Sequence, residues 1–180
     1  QLDETSDIRE QHRFDTAALE AYLRENIEEF AGAMKIRQFV FGQSNPTFIV
    51  EDEARRYVVR KKPPGKLLPS AHAVDREYRI ISALQDTNVP VPRSYLLCED
   101  DCVIGTPFYV MEFVEGRIFR SPLAPEARGP EERAQIYDSM NETLARIHQV
   151  DWQAKGLEDY GKPGNYMARQ IGRWSKQYRA

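Results

Sequence analysis

Five strand-like apolar runs, and the one helix that interrupts them, set the strongest constraint on this chain. "KIRQFVF" (35–41), "TFIVE" (47–51) and "YVVRK" (57–61) come first, "HAVDREYRIISAL" (72–84) follows, and "SYLLCE" (94–99) and "PFYVMEFV" (107–114) come after it. The β-branched and aromatic residues of the five runs suit strands, and polar breaks separate them. Between the third and fourth, Val74, Tyr78, Ile81 and Leu84 recur at the spacing of one helical face, with Glu77 beside it. Short links favour antiparallel neighbours. The order predicts an α+β architecture: a five-stranded antiparallel sheet with one helix packed on it.

Helical patterns flank this block. In "DTAALEAYLRENIEEF" (15–30) the residues Leu19, Tyr22, Leu23, Ile27 and Phe30 form one apolar face, Asp15 is placed to cap it, and Gly32 follows its end. Beyond Gly116, "SPLAPEARGP" (121–130) leads into a long helix near 131–149, with Pro130 in its first turn and Ile136, Met140, Leu144 and Ile147 as its expected buried stripe. "NYMARQIGRWSKQYR" (165–179) repeats the pattern with Met167, Ile171, Trp174 and Tyr178. The expected division is a helical lead over 1–34, a sheet lobe and its exit over 35–116, and the start of a helical region over 117–180.

The charge balance removes several function classes. With 25 Lys and Arg against 28 Asp and Glu, the formal charge is -3, which argues against nucleic acid and membrane surfaces as partners. No apolar run reaches the roughly 18 residues of a membrane span, and "QLDETSDIRE" is unlike a signal peptide, so the cytoplasm is the expected compartment. Cys98 and Cys102 lack the further Cys or His of a tetrahedral metal site and read as reduced thiols. "PPGK" fails as a phosphate-loop motif because Arg60 and Leu67 stand where Gly and Ser or Thr are needed. In "HQVDW", His148 and Asp151 are one residue too far apart for a His-Xaa-Asp catalytic loop. His12 and His72 show no partner set in the sequence.

The turn in "FGQSNPTF" (41–48) can be a plain hairpin or an anion cradle. Gly42 permits close backbone approach, and the amides and hydroxyl near Ser44 and Asn45 can donate to phosphate oxygens. On the strand that ends in "RKK", alternation puts Val58, Arg60 and Lys62 on one face and Lys61 on the other, where it reads as part of a solvated basic strand end.

Three phrases, "FGQSNPTF", "RKKPPGKLLPSAHAVDREYRI" and "GTPFYVMEFVEGRIF", resemble the aminoglycoside phosphotransferase (choline kinase-like) family of small-molecule kinases. Within it they are most similar to the kinase-like domain found ahead of certain acyl-CoA dehydrogenase domains. The resemblance implies a protein-kinase-like fold, with the sheet as its N-terminal lobe and the last helices opening an incomplete C-terminal lobe. It implies ATP as cofactor, with the Gly42, Ser44 and Asn45 turn over the phosphates. Arg60 stands at the family's strand-lysine position, which leaves the phosphate cation open between Arg60 and Lys62, and Glu77 matches the helix glutamate that orients it. A solvated Glu77 pairing with Arg76 or Arg79 is the competing reading.

"VMEFVEG" matches the hinge in sequence and position. There the Glu112 carbonyl accepts from the adenine amino group, the Val114 amide donates to a ring nitrogen, and Met111 walls the pocket; an apolar core strand ending at a Gly turn has the same pattern. The family's His-Gly-Asp loop, its downstream Asn and its Ile-Asp-Trp-like stretch fall after the helix on which this sequence ends. The Mg2+ ligands are therefore expected beyond residue 180. The implied activity is transfer of the ATP γ-phosphate to a hydroxyl of a small molecule, with a hydroxylated acyl compound or other small metabolite as acceptor and the 180-residue chain inactive alone. The rival expectation is a noncatalytic kinase-like module for nucleotide binding or interaction.

Overall fold

The computed structural model describes residues 5–40, 45–65 and 72–179. Two compact units divide the chain, Gln1–Val150 and Asp151–Ala180. The first contains β1 (Thr5–Ser6), α1 (Thr16–Asn26), β2 (Lys35–Phe39), β3 (Thr47–Glu51), β4 (Arg56–Lys61), α2 (Val74–Leu84), β5 (Ser94–Cys98), α3 (Asp101–Ile104), β6 (Phe108–Glu112) and α4 (Pro130–His148). The second contains α5 (Tyr166–Arg179). The six strands are antiparallel in the order β1-β2-β3-β4-β6-β5. All five expected strands are present, and the sixth, β1, extends the sheet by pairing Thr5 with Phe39. Because β6 lies between β4 and β5, the strand leading to residues 112–114 runs directly beside the strand bearing Arg60.

Helix α1 begins where the Asp15 carboxylate accepts the Ala17 and Ala18 amides at 2.9 and 3.0 Å, a cap that contributes about 1 kcal/mol. The chain then turns into β2 at Gly32. Its φ is +75°, a left-handed conformation that favours glycine, and an added Cβ would also have to displace the exposed Glu53 side chain. Between β3 and β4, Asp52 Oδ1 accepts the Ala54 and Arg55 amides at 2.8 and 2.6 Å and closes the hairpin turn.

Strand register sorts the side chains onto two faces. Phe48, Val50, Tyr57, Val59, Phe108 and Val110 lie on one face and join Leu19, Leu23, Ile27 and Phe30 in the hydrophobic core. On the opposite face, Thr47 stands across from Arg60, Arg60 from Tyr109, and Val58 from Met111. Here α2 packs through Tyr78 against Tyr109, ring centroids 6.1 Å apart, and through Ser82 Oγ, 2.9 Å from Ser94 Oγ. The sheet is thus covered by α1 on one face and α2 on the other, where the strand order alone implied a single packed helix.

This second layer corrects the reading of Lys61. Rather than forming a solvated strand end, it is 3% exposed, with Nζ 4.8 Å from the centroid of the Phe14 ring. Phe14 in turn meets Phe48 edge-on at 5.2 Å. Alternation does turn Lys61 away from Arg60, but into the face covered from the N-terminal side. Burial holds the Lys61 ammonium below its ordinary pKa of 10.5. A lysine whose pKa falls on folding costs stability while charged, and that cost fades as pH rises through the folded value towards 10.5. Lys61→Met is therefore expected to raise the melting temperature at neutral pH, with a gain that shrinks in alkaline buffer. A lower melting temperature at neutral pH would mean that the ammonium–ring attraction outweighs desolvation.

Two histidines without a visible partner set also acquire one. His12 Nδ1 lies 2.7 Å from Nε2 of Gln38, whose Oε1 accepts the Arg9 amide at 3.0 Å. Together these contacts satisfy a side chain that is buried in β2. His72 Nδ1 reaches the Asn45 side-chain oxygen. Cys98 is buried at the end of β5, while Cys102 is exposed on α3, a single turn capped by Asp100, and both are free thiols.

The expected buried stripe of α4 is not buried. Met140, Leu144 and Ile147 are 59, 51 and 46% exposed, and Ile136 is half-buried. The apolar period suffices for a helix with Pro130 in its first turn, but burial requires a second layer over that face. On α5, Met167, Ile171, Trp174 and Tyr178 are exposed as well.

Candidate functional site

The site grows from the sheet face under α2. Arg60 and Glu77 arrive there from β4 and α2, and Arg60 Nε donates to Glu77 Oε2 at 2.6 Å. Their side chains are 28 and 35% exposed, so the pair stands at the border between protein and solvent. A second Arg60 nitrogen, Nη1, donates to Thr47 Oγ1 at 3.2 Å. Those two bonds use two of the five guanidinium N–H groups and fix the plane of the fork.

Glu77 is held from three directions. Besides Arg60, the Tyr109 hydroxyl donates to Oε2 at 3.1 Å, and Asn45 Nδ2 donates to Oε1 at 2.8 Å. Burial pushes the Tyr109 phenol pKa well up, and the neighbouring Glu77 charge adds to the effect, so the hydroxyl remains a donor. The Asn45 amide is 2% exposed and occupied at both ends, because its Oδ1 lies 2.9 Å from His72 Nδ1. A carboxylate only accepts, so the amide NH2 must face Glu77 and Oδ1 must face His72; the His72 proton then sits on Nδ1. Thr47 Oγ1 closes the network by donating to the Asn45 carbonyl at 3.0 Å.

Of the candidate residues, the structure brings together Asn45, Arg60 and Glu77, with Val58 and Met111 on the same sheet face. Val58 is buried and Met111 half-buried. Lys62 lies one residue beyond β4, where its amide donates to the Pro107 carbonyl at 3.0 Å and its carbonyl accepts from Thr106 Oγ1 at 3.2 Å. Gly42 and Ser44 lie outside the described residues. Tyr109, Thr47 and His72 were not among the candidates. Tyr109 precedes Met111 by two residues, so alternation does place it on the Met111 face. The opposition of Thr47 and Tyr109 to Arg60 is a matter of register, which a single sequence does not display.

Residues 112 and 113 are anchored by their neighbours. The Glu112 amide donates to the Arg93 carbonyl at 2.7 Å, and the Glu112 carboxylate accepts the Arg93 amide at 3.0 Å. The Arg56 guanidinium lies 4.4 Å from the Phe113 ring centroid. Val114, two residues past the end of β6, is exposed. Among the described residues no group of three or more His, Cys, Asp or Glu is placed to hold a metal ion, and no helix is long and apolar enough to cross a membrane.

The model of the phosphotransferase enzyme family matches residues 35–180, which takes in every element from β2 to α5. The chain belongs to this family. Its relatives include an Arabidopsis thaliana protein named probable acyl-CoA dehydrogenase IBR3, 51% identical over 96% of this chain and 22% of that protein. Acyl-CoA dehydrogenase family member 11 of Gallus gallus is 49% identical over 98% of the chain and 23% of its own length. Family member 10 of Mus musculus is 48% identical over 98% and 16%. The chain thus spans less than a quarter of these relatives. The crystal structure of a candidate aminoglycoside phosphotransferase from Ralstonia eutropha JMP134 is 52% identical, with a TM-score of 0.78 over 93% of this chain and 48% of that one. The fold of this phosphotransferase-family chain is α+β and protein-kinase-like.

Proposed function

We propose that this phosphotransferase-family chain is the nucleotide-binding part of an ATP-dependent kinase that moves the γ-phosphate of ATP to a hydroxyl of a small molecule. The observation that carries this reading is the Arg60–Glu77 pair, set between the strand beside the hinge and the helix that covers it. The guanidinium, held by Glu77 and Thr47, supplies a preorganised positive charge for phosphate oxygens. This favours Arg60 over Lys62 as the phosphate cation. Val58 and Met111, opposite one another in register, offer an apolar surface for the base, with the Glu112 carbonyl and Val114 amide for its polar edge. Magnesium would neutralise charge on the phosphates.

The acyl-CoA dehydrogenase names of the relatives support a hydroxylated acyl compound, or another small hydroxyl-bearing metabolite, as acceptor. Calorimetric titration of the full natural chain with ATP and magnesium should show saturable binding, followed by acceptor-dependent ADP release across a panel of hydroxylated acyl compounds. Failure to bind ATP would end this reading. Binding without transfer to any acceptor would leave a noncatalytic nucleotide-binding module.

A further inference from the structure

The Asn45 side chain does not have the geometry of a direct phosphate contact. It is 2% exposed, its Nδ2 is committed to Glu77 Oε1 at 2.8 Å, and its Oδ1 is committed to His72 Nδ1 at 2.9 Å. Tyr109 has the complementary position, with its hydroxyl on the other carboxylate oxygen at 3.1 Å and its side chain across from Arg60 in register. Each Glu77 oxygen therefore has its own neutral donor, and the carboxylate plane is set independently of the arginine. A carboxylate free to rotate could present either oxygen to Arg60, whereas one held at both oxygens presents Oε2 alone.

We propose that Asn45 and Tyr109 are positioning residues that act on nucleotide through Glu77, clamping its carboxylate so that Arg60 is aimed before ATP arrives. Asn45 lies two residues before β3 begins at Thr47, so the clamp also ties the start of that strand to helix α2. The Glu77 carboxylate, which only accepts, fixes the direction of the amide, and the Asn45 Oδ1 is then engaged by His72 Nδ1 at 2.9 Å. This inference rests on the ATP reading of the same site.

The test is a pair of double-variant cycles for ATP affinity in the full natural chain, measured calorimetrically with ATP and magnesium. Asn45→Ala and Tyr109→Phe should each weaken ATP binding by about tenfold, the scale of one hydrogen bond to a charged group. In a Glu77→Ala background neither substitution should weaken it further, because the group through which they act is gone. Effects that multiply with Glu77→Ala would overturn the clamp and make Asn45 or Tyr109 an independent nucleotide contact. Unchanged affinity in both single variants would overturn it as well. If Asn45→Ala does not fold, as thermal melts would reveal, Tyr109→Phe carries the cycle, since it removes only a hydroxyl and retains the ring. A wild-type chain that binds no ATP would instead remove the kinase reading on which the clamp rests, an outcome visible before any variant is made.

Discussion

Glu77→Gln in the full natural chain is expected to lower kcat/KM for ATP about 100-fold, the scale of losing a preorganised electrostatic group. Glu77 Oε2 accepts from both Arg60 and Tyr109, and Oε1 accepts from Asn45. A glutamine retains one acceptor oxygen and turns an NH2 group towards donors that have nothing to offer it, so at least one of the three bonds is lost along with the negative charge. Stability should suffer far less, by about 1–2 kcal/mol, because the pair is partly exposed and water can reach an orphaned donor. Steady-state kinetics beside thermal melts of the same samples separate the two effects. Unchanged turnover would remove the pair from the chemistry, and a melting loss large enough to explain the activity would reduce it to a structural contact.

The largest stability effect is expected at Phe48. This ring is fully buried on the α1-facing side of the sheet and packs edge-on against Phe14 at 5.2 Å, in a core shared with Leu19 and Leu23. Truncation to alanine removes the ring contacts from both layers and leaves a cavity between them, at a cost of about 3–5 kcal/mol. For a unit of this size that corresponds to roughly 10 °C in melting temperature. Ile118→Ala, at a position 64% exposed, should stay within about 0.5 kcal/mol and serves as the reference. Thermal unfolding followed by circular dichroism reads both. A Phe48→Ala loss below about 1 kcal/mol would mean that the layer of α1 and Phe14 is not closely packed on the sheet.

How much of this was legible follows from the range of the interactions involved. Strand runs, helix spacing and caps depend on residues a few positions apart, so Asp15 as a cap, Gly32 past the helix, and Val58 and Arg60 on a shared face could all be read from local pattern. The same alternation sent Lys61 to the opposite face, but its exposure depended on whether anything covered that face. Phe14 lies 47 positions away in sequence, and no local pattern reports that it arrives there. The α4 stripe erred in the other direction: Met140, Leu144 and Ile147 have the spacing of a core face, yet spacing measures only what a helix could bury.

The site divides along the same line. The resemblance of the quoted phrases to the phosphotransferase family was enough to single out Arg60, Glu77 and residues 111–114, because matching motifs in the same order of elements need no knowledge of what touches what. The partners of Glu77 come from positions 45, 60 and 109, and their meeting depends on strand register and on where α2 settles over the sheet. An asparagine in a turn looks equally suited to solvent, phosphate or protein. Packing chose protein, because a buried amide has to satisfy both of its ends, and Glu77 and His72 are the groups that the fold brings within reach.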